Sequence, residues 1–268
     1  MGRQQGTGIA GLAAVAVLVT AVLTGCSGGV DGPGGAGGSG GSGGGSARPD
    51  AKAPSRTAAP RTTAPGGDSG GGTGGGGAPA GVEGKLPGLP SAALARTRLA
   101  ALTIAPQRSM TGYSRDKFPH WAEQGDSCNT RETVLERDGT GVRRDSQCRA
   151  VSGNWLSVYD GKTFTKASGL DIDHMVPLAN AWRSGADRWT QEKRKAFAND
   201  LVHPQLLAVS AVTNRSKGDQ GPDEWQPPSR GYWCVYARAW TSVKSTYGLT
   251  ATSAEAATLG RMLDTCGS

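Results

Sequence analysis

Over half of the 43 glycines in this 268-residue chain precede residue 84, in a stretch almost free of large apolar side chains. Such a stretch cannot bury enough surface to offset its conformational entropy, which excludes a packed N-terminal domain and leaves residues 86–268 for one domain. Net charge is +7, and from Leu86 onward 23 Lys and Arg face 18 Asp and Glu. This balance fits a polyanion partner such as nucleic acid, anionic lipid or wall polymer, and fits plain solubility equally well.

In chain order, Arg3 precedes an apolar run from Ile9 to Leu23 that is too short to span a membrane and has the length of a signal-peptide core. The run ends in Leu23-Thr24-Gly25-Cys26, which resembles a bacterial lipobox. The resemblance implies that residues 1–26 are a lipoprotein signal, that Cys26 is acylated, and that the chain is held on the outer membrane face through its lipid alone. If the box is not used, the chain is secreted. Residues 27–85 are Gly, Ser, Ala, Pro and Thr with scattered charge. They read as a flexible tether, with an end-to-end distance on the order of 40–45 Å.

Ser91 is placed to cap a helix running to about Ile104. Trp155 to Tyr159 reads as a strand entering a turn at Asp160-Gly161, with Thr163 to Lys166 returning. Pro177 to Arg183 and Thr190 to Asn199 read as helices, the second capped by Thr190. Leu206 to Val209 reads as a short strand. Arg230 to Tyr247 and Ser253 to Leu263 read as the last two helices. With Cys26 set aside, Cys128, Cys148, Cys234 and Cys266 form an even set in an exported domain. They allow three disulfide connectivities, of which the nearest-neighbour one, Cys128–Cys148 and Cys234–Cys266, is expected. None of their spacings is that of a zinc ribbon or a CxxC redox site. Gly161-Lys162-Thr163 lacks the upstream glycine of a phosphate-binding loop, since position 156 is Leu, and reads as a hairpin turn.

The chemistry-bearing segment is Leu170-Asp171-Ile172-Asp173-His174-Met175-Val176-Pro177, followed about thirty residues later by Gln205 to Val209 and then Asn214-Arg215-Ser216-Lys217. Strand alternation points Asp173 and His174 to opposite faces, so to act together they must sit at a strand end, where Pro177 is consistent with the strand stopping. An Asp-His pair, two apolar residues and Pro, a short apolar strand and Asn-x-x-Lys together resemble the HNH, or ββα-metal, nucleases. The likeness is closer to secreted bacterial HNH proteins related to the C-terminal domain of GmrSD-type restriction endonucleases. It extends to Tyr113-Ser114-Arg115, Cys128 to Arg131, Ala181 to Ala186 and Trp225 to Pro228, and so covers nearly all of residues 110–266.

The resemblance implies an α+β fold in which a ββα-metal unit is embedded in helices and stapled by disulfides. It implies metal-dependent hydrolysis of DNA phosphodiesters, with RNA as a further substrate. His174, whose ordinary pKa is near neutrality, is the candidate general base. Asp173 and Asn214 offer hard oxygen ligands for one divalent ion, Mg²⁺ in the first instance and Mn²⁺ as an alternative. Arg215 and Lys217, near the expected helix start, and Arg131, beside Cys128, are candidates for substrate phosphate. The bland readings are a solvated first turn for the former two and a structural ion pair for Arg131. Asp171 is expected to support His174 or the metal from behind.

Gln205 stands where the family has its middle Asn, which pins the loop between the strands. Gln can do so with a longer arm, and Asn199 and His203 are nearby substitutes. His120 reads as structural, and Trp182, Trp189, Trp225 and Trp240 read as packing. No obligate protein partner is evident. Low sequence preference is expected from an exported location. The competing reading is a non-catalytic, lipid-anchored binder of wall polymer or nucleic acid on the same scaffold.

Overall fold

The computed structural model describes residues 85–267. The signal segment 1–26, Cys26 and all but the last residue of the tether expected at 27–85 lie outside the described residues. The order of elements is α1 (Ala92–Ala100), β1 (Glu123–Gly125), β2 (Cys128–Asn129), α2 (Thr130–Asp138), β3 (Thr140–Arg144), β4 (Ala150–Leu156), β5 (Thr163–Phe164), β6 (Leu170–His174), α3 (Leu178–Arg183), α4 (Gln191–Ala198), β7 (Leu206–Ser210), α5 (Ala211–Lys217), α6 (Trp233–Tyr247) and α7 (Ser253–Leu263). This is an α+β fold with three small antiparallel sheets, β1–β2, β3–β4–β5 and β6–β7.

The central feature is the β6–β7 ribbon with α5 directly after it. The pairing is unbroken, from Leu170 opposite Ser210 to His174 opposite Leu206. All five residues of β7 are buried, because both faces of the ribbon are covered. Leu207 and Val209 enter the core formed with α3, α6 and α7. Leu206 and Ala208 join Leu170 and Ile172 in a second core with Val134, Leu135 and Trp155. A strand covered on both sides reads as a continuous apolar run, and Leu-Leu-Ala-Val is such a run.

In the second core the Trp155 indole N–H donates to the Leu135 carbonyl at 2.8 Å. Gly139, which ends α2, lets this ring approach; a Cβ there would lie 2.6 Å from Trp155 Nε1. The helical side is tied by a buried Lys244–Glu255 pair at 2.7 Å between α6 and α7. Gly248, in the left-handed conformation at φ 66°, ends α6. The two disulfides are Cys128–Cys148 and Cys234–Cys266.

Several boundaries differ from the sequence reading. Ser91 caps α1, accepting from the Leu94 N–H at 3.2 Å, but the helix stops at Ala100 and Ile104 instead makes a lone bridge to Ala251. The Trp155 strand begins earlier, at Ala150, and ends at Leu156. The last helix spans Ser253–Leu263 as expected, capped by Thr252 with Glu255 completing a capping box. The difference that matters most is at α5. It starts at Ala211, so Asn214 lies in its middle and Arg215 and Lys217 in its last turn. The expected use of Arg215 and Lys217 at a helix N-terminus does not hold. That end of the helix is instead anchored by the Thr213 hydroxyl, which donates to Asp160 at 2.6 Å.

Candidate active site

A cleft of about 210 Å³ opens where β6 ends and α5 passes, lined by Asp173, His174, Asn214 and Arg215 and closed from the N-terminal side by Tyr113 and Arg115. His174 is the last residue of β6, so the chain turns there and both members of the Asp-His pair reach the cleft. The turn is held by Gln205. Its side-chain oxygen accepts from the Val176 N–H at 3.1 Å, its Nε2 donates to the Val176 carbonyl at 3.0 Å, and its own carbonyl accepts from the Met175 N–H. Gln205 is fully buried. The longer arm of Gln thus closes both backbone groups of one residue, which is the pinning task expected of this position.

His174 is buried, and one ring nitrogen, Nε2, lies 2.9 Å from the carbonyl oxygen of Ala198. A carbonyl only accepts, so Nε2 carries the hydrogen and Nδ1 is left with its lone pair. Burial holds the ring neutral, pushing its pKa down to about 3 against the opposing pull of the Ala198 carbonyl. The imidazole is therefore neutral and held in one tautomer. The carbonyl that fixes it belongs to the last residue of α4, where helix carbonyls have no partner within the helix.

Asp173 is buried and doubly held. Its Oδ2 accepts from the Tyr159 hydroxyl and from Lys217 Nζ, each at 2.6 Å. Burial pushes the Asp173 carboxyl up and the Lys217 ammonium down, and the attraction between the two opposes both shifts. Lys217 also donates to the carbonyls of His174 and Met175 at 2.8 and 2.9 Å. It is fully buried and does not face the cleft, which corrects its expected role as a phosphate ligand. The cause is the α5 register, which turns its last-turn Lys under the strand end. Arg131 is likewise elsewhere: it donates to the Leu170 carbonyl at 3.1 Å, tying α2 to the start of β6, and does not line the cleft.

Asp171 does not touch His174. Its Oδ2 accepts from Asn214 Nδ2 at 3.3 Å and lies 3.4 Å from Arg215 Nε. This contact orients the Asn214 amide and leaves its carbonyl oxygen uncommitted. Tyr159, Arg115 and Tyr113 were not singled out from the sequence as site residues. For Arg115 and Tyr113 a signal existed, since they fall in the Tyr113-Ser114-Arg115 segment that carries the wider resemblance. Asp219 also lines the cleft but is bridged by Arg183 at 2.6 Å. The carboxylates here are thus already paired with Lys or Arg, and Arg115 brings a guanidinium with no hydrogen bond or ion pair among the described residues.

No cluster of three or more His, Cys, Asp or Glu able to hold a metal occurs among the described residues. That rules against a dedicated all-protein cage of the zinc type within them. The donors present are the second carboxylate oxygen of Asp173, to which no described residue donates, and the free amide oxygen of Asn214. This thin, all-oxygen set fits a hard divalent ion that keeps most of its water.

A two-stranded antiparallel ribbon followed by a helix, with Asp-His at the strand end and Asn on the helix, defines an HNH-type ββα unit. Residues 131–262 match the family described as GmrSD restriction endonucleases, C-terminal domain. An "Uncharacterized secreted protein" of Arthroderma benhamiae is 57% identical over 180 residues, covering 67% of this chain and 88% of the relative. The chain belongs to the GmrSD C-terminal-domain family, an HNH-type restriction-endonuclease family. That relative is fungal, so the likeness is not confined to bacteria. No solved structure matches the chain.

Proposed function

We propose that the chain is an exported, divalent-metal-dependent nuclease that hydrolyses DNA phosphodiester bonds with little sequence preference. The observation that carries this reading is His174: it lines the cleft, its Nε2–H is tied to Ala198, and its Nδ1 is left with a lone pair. In the proposed reaction Nδ1 takes a proton from water as the water oxygen attacks phosphorus, and the 3′ oxygen leaves. A divalent ion held by Asp173 and Asn214 would neutralise charge on the phosphate and on the leaving oxygen. Arg115, from the turn at Arg115–Lys117, and Arg215, from α5, hold the phosphate oxygens. Lys217 and Tyr159 keep Asp173 ionised and oriented, and Asp171 keeps the Asn214 carbonyl turned outward.

Export is supported by the apolar N-terminal run and by the secreted relative. Anchoring through Cys26 is a proposal that metabolic labelling with a fatty acid tests, with Cys26→Ser abolishing the label. The test of function is incubation of the chain with plasmid DNA across several divalent metals, with a chelator control and the His174→Ala variant. Cleavage by the wild type that needs the metal and is lost in His174→Ala is the expected result. Equal cleavage by both proteins overturns the reading, and DNA binding without any cleavage favours a binding domain on the same scaffold.

A further inference from the structure

Trp121 has a backbone φ of 62°, the left-handed region that bulky side chains avoid. Its ring lies beside the imidazole of His174, with centroids 6.0 Å apart and planes 34° from parallel. Residues in such conformations persist only where their surroundings over-determine them. Here one side chain is a principal determinant, beside Thr130, whose N–H donates to the Ala122 carbonyl at 2.9 Å. The Asn199 amide oxygen accepts from the Ala122 N–H and from the Thr130 hydroxyl, both at 2.8 Å. Its Nδ2 donates to the Pro119 carbonyl at 2.7 Å and to the Lys195 carbonyl at 2.8 Å. These four bonds use the full capacity of an amide, and two of them bracket Trp121 on either side. No other side chain of this length has both arms: Asp cannot donate, and Ser and Thr reach one group at a time.

Asn199 directly follows Ala198, whose carbonyl fixes the His174 tautomer. One helix end therefore holds the imidazole twice, directly by its last carbonyl and through the neighbouring Trp121 ring. We propose that Asn199 is a positioning residue for His174, locking Trp121 against the imidazole so that the ring cannot turn and Nδ1 stays on the cleft. This rests on the reading of His174 as the base. Asn199 touches no substrate and acts only through Trp121 and the 119–122 segment.

The test reads the imidazole directly. The full chain, labelled with ¹⁵N-histidine, has three imidazoles, which His120→Gln and His203→Gln assign. The wild type should show His174 as a single Nε2–H tautomer with a slowly exchanging ring proton. Asn199→Ala should speed that exchange about tenfold or more and mix the tautomers, and Trp121→Phe should retain the wild-type signal. A folded Asn199→Ala with an unchanged His174 signal overturns the proposal. If Asn199→Ala does not fold, Trp121→Gly decides: it relieves the backbone while removing the ring, so an unchanged signal there overturns the proposal too. In a cleavage assay Asn199→Ala should lose about ten- to hundredfold in kcat with little change in KM; a loss confined to KM overturns it. A wild type that cuts no nucleic acid sinks the nuclease reading, while the imidazole signals still decide the role of Asn199.

Discussion

Lys217 Nζ lies 2.6 Å from Asp173 Oδ2 with both side chains at most 4% exposed. The carboxylate proposed to bind metal is therefore also the counter-ion of a lysine sealed beneath the strand end. Removing one partner of a buried pair leaves an uncompensated charge, which typically costs about 3–5 kcal/mol. Lys217→Met is expected to destabilise by that amount in urea unfolding, the more so because the His174 and Met175 carbonyls lose their donor. Adding Asp173→Asn should restore part of the loss, since the orphaned charge disappears. Equal stability of the single variant and the wild type would show that the pair carries no such weight.

Gln205 closes both backbone groups of Val176, so truncating it strands a buried N–H and a buried carbonyl. Each unsatisfied group costs roughly 1–3 kcal/mol. Gln205→Ala should lower thermal stability accordingly and raise hydrogen exchange at Val176. Gln205→Asn restores the residue type usual in the family but shortens the arm by one methylene in a turn built for Gln. It should recover less than half of the loss, and full recovery would mean that the turn tolerates either length.

The ribbon and its helix were legible because their signals are local: an apolar run covered on both sides, an Asp-His pair at a strand end, a Pro that stops pairing. Disulfide pairing was legible from nearest-neighbour order. What sequence reasoning misplaced depends on register. One helical turn of difference at the start of α5 converts Lys217 from a surface ligand into a buried counter-ion. What it missed depends on distance along the chain. Arg115 reaches the cleft from nearly sixty residues upstream of His174, and Tyr159 reaches Asp173 from the turn between β4 and β5; periodicity reports neither. Arg131 carries the right charge, but the carbonyls of Ala167 and Leu170 claim it.

That contrast separates Arg115 from Arg131 experimentally. Arg115 makes no side-chain hydrogen bond among the described residues and lines the cleft. Arg115→Ala should therefore leave stability within about 0.5 kcal/mol, weaken DNA binding, and reduce the slope of log K against log salt by about one. Arg131→Ala should do the opposite, lowering stability with the salt slope intact. Fluorescence-anisotropy titrations at several salt concentrations, beside thermal melts, read both. A salt slope unchanged by Arg115→Ala would remove it from the phosphate site.

The buried imidazole also sets a pH limit. His174 has a folded-state pKa of about 3 against an ordinary value near 6.5. Between these values the unfolded chain binds a proton that the folded chain refuses. Stability therefore falls as pH drops from about 6.5 toward 3, with a slope of up to about 1.4 kcal/mol per pH unit from this group, and is independent of it above that window. The raised pKa of Asp173 acts in the opposite sense just above the ordinary carboxyl range, so the effect of His174 is best read as a difference. His174→Gln, which can still donate to the Ala198 carbonyl, should melt with a flatter pH dependence between pH 6.5 and 4.5 than the wild type. Because the ring stays neutral throughout that range, His174 itself should add no acid limb to cleavage in the folded protein, and any acid limb seen there belongs to protonation of Asp173, whose carboxyl burial pushes up. A His174 imidazole signal that titrates near pH 6.5 in a protein still fully folded, read by NMR, would show that the ring titrates normally and that burial does not govern it.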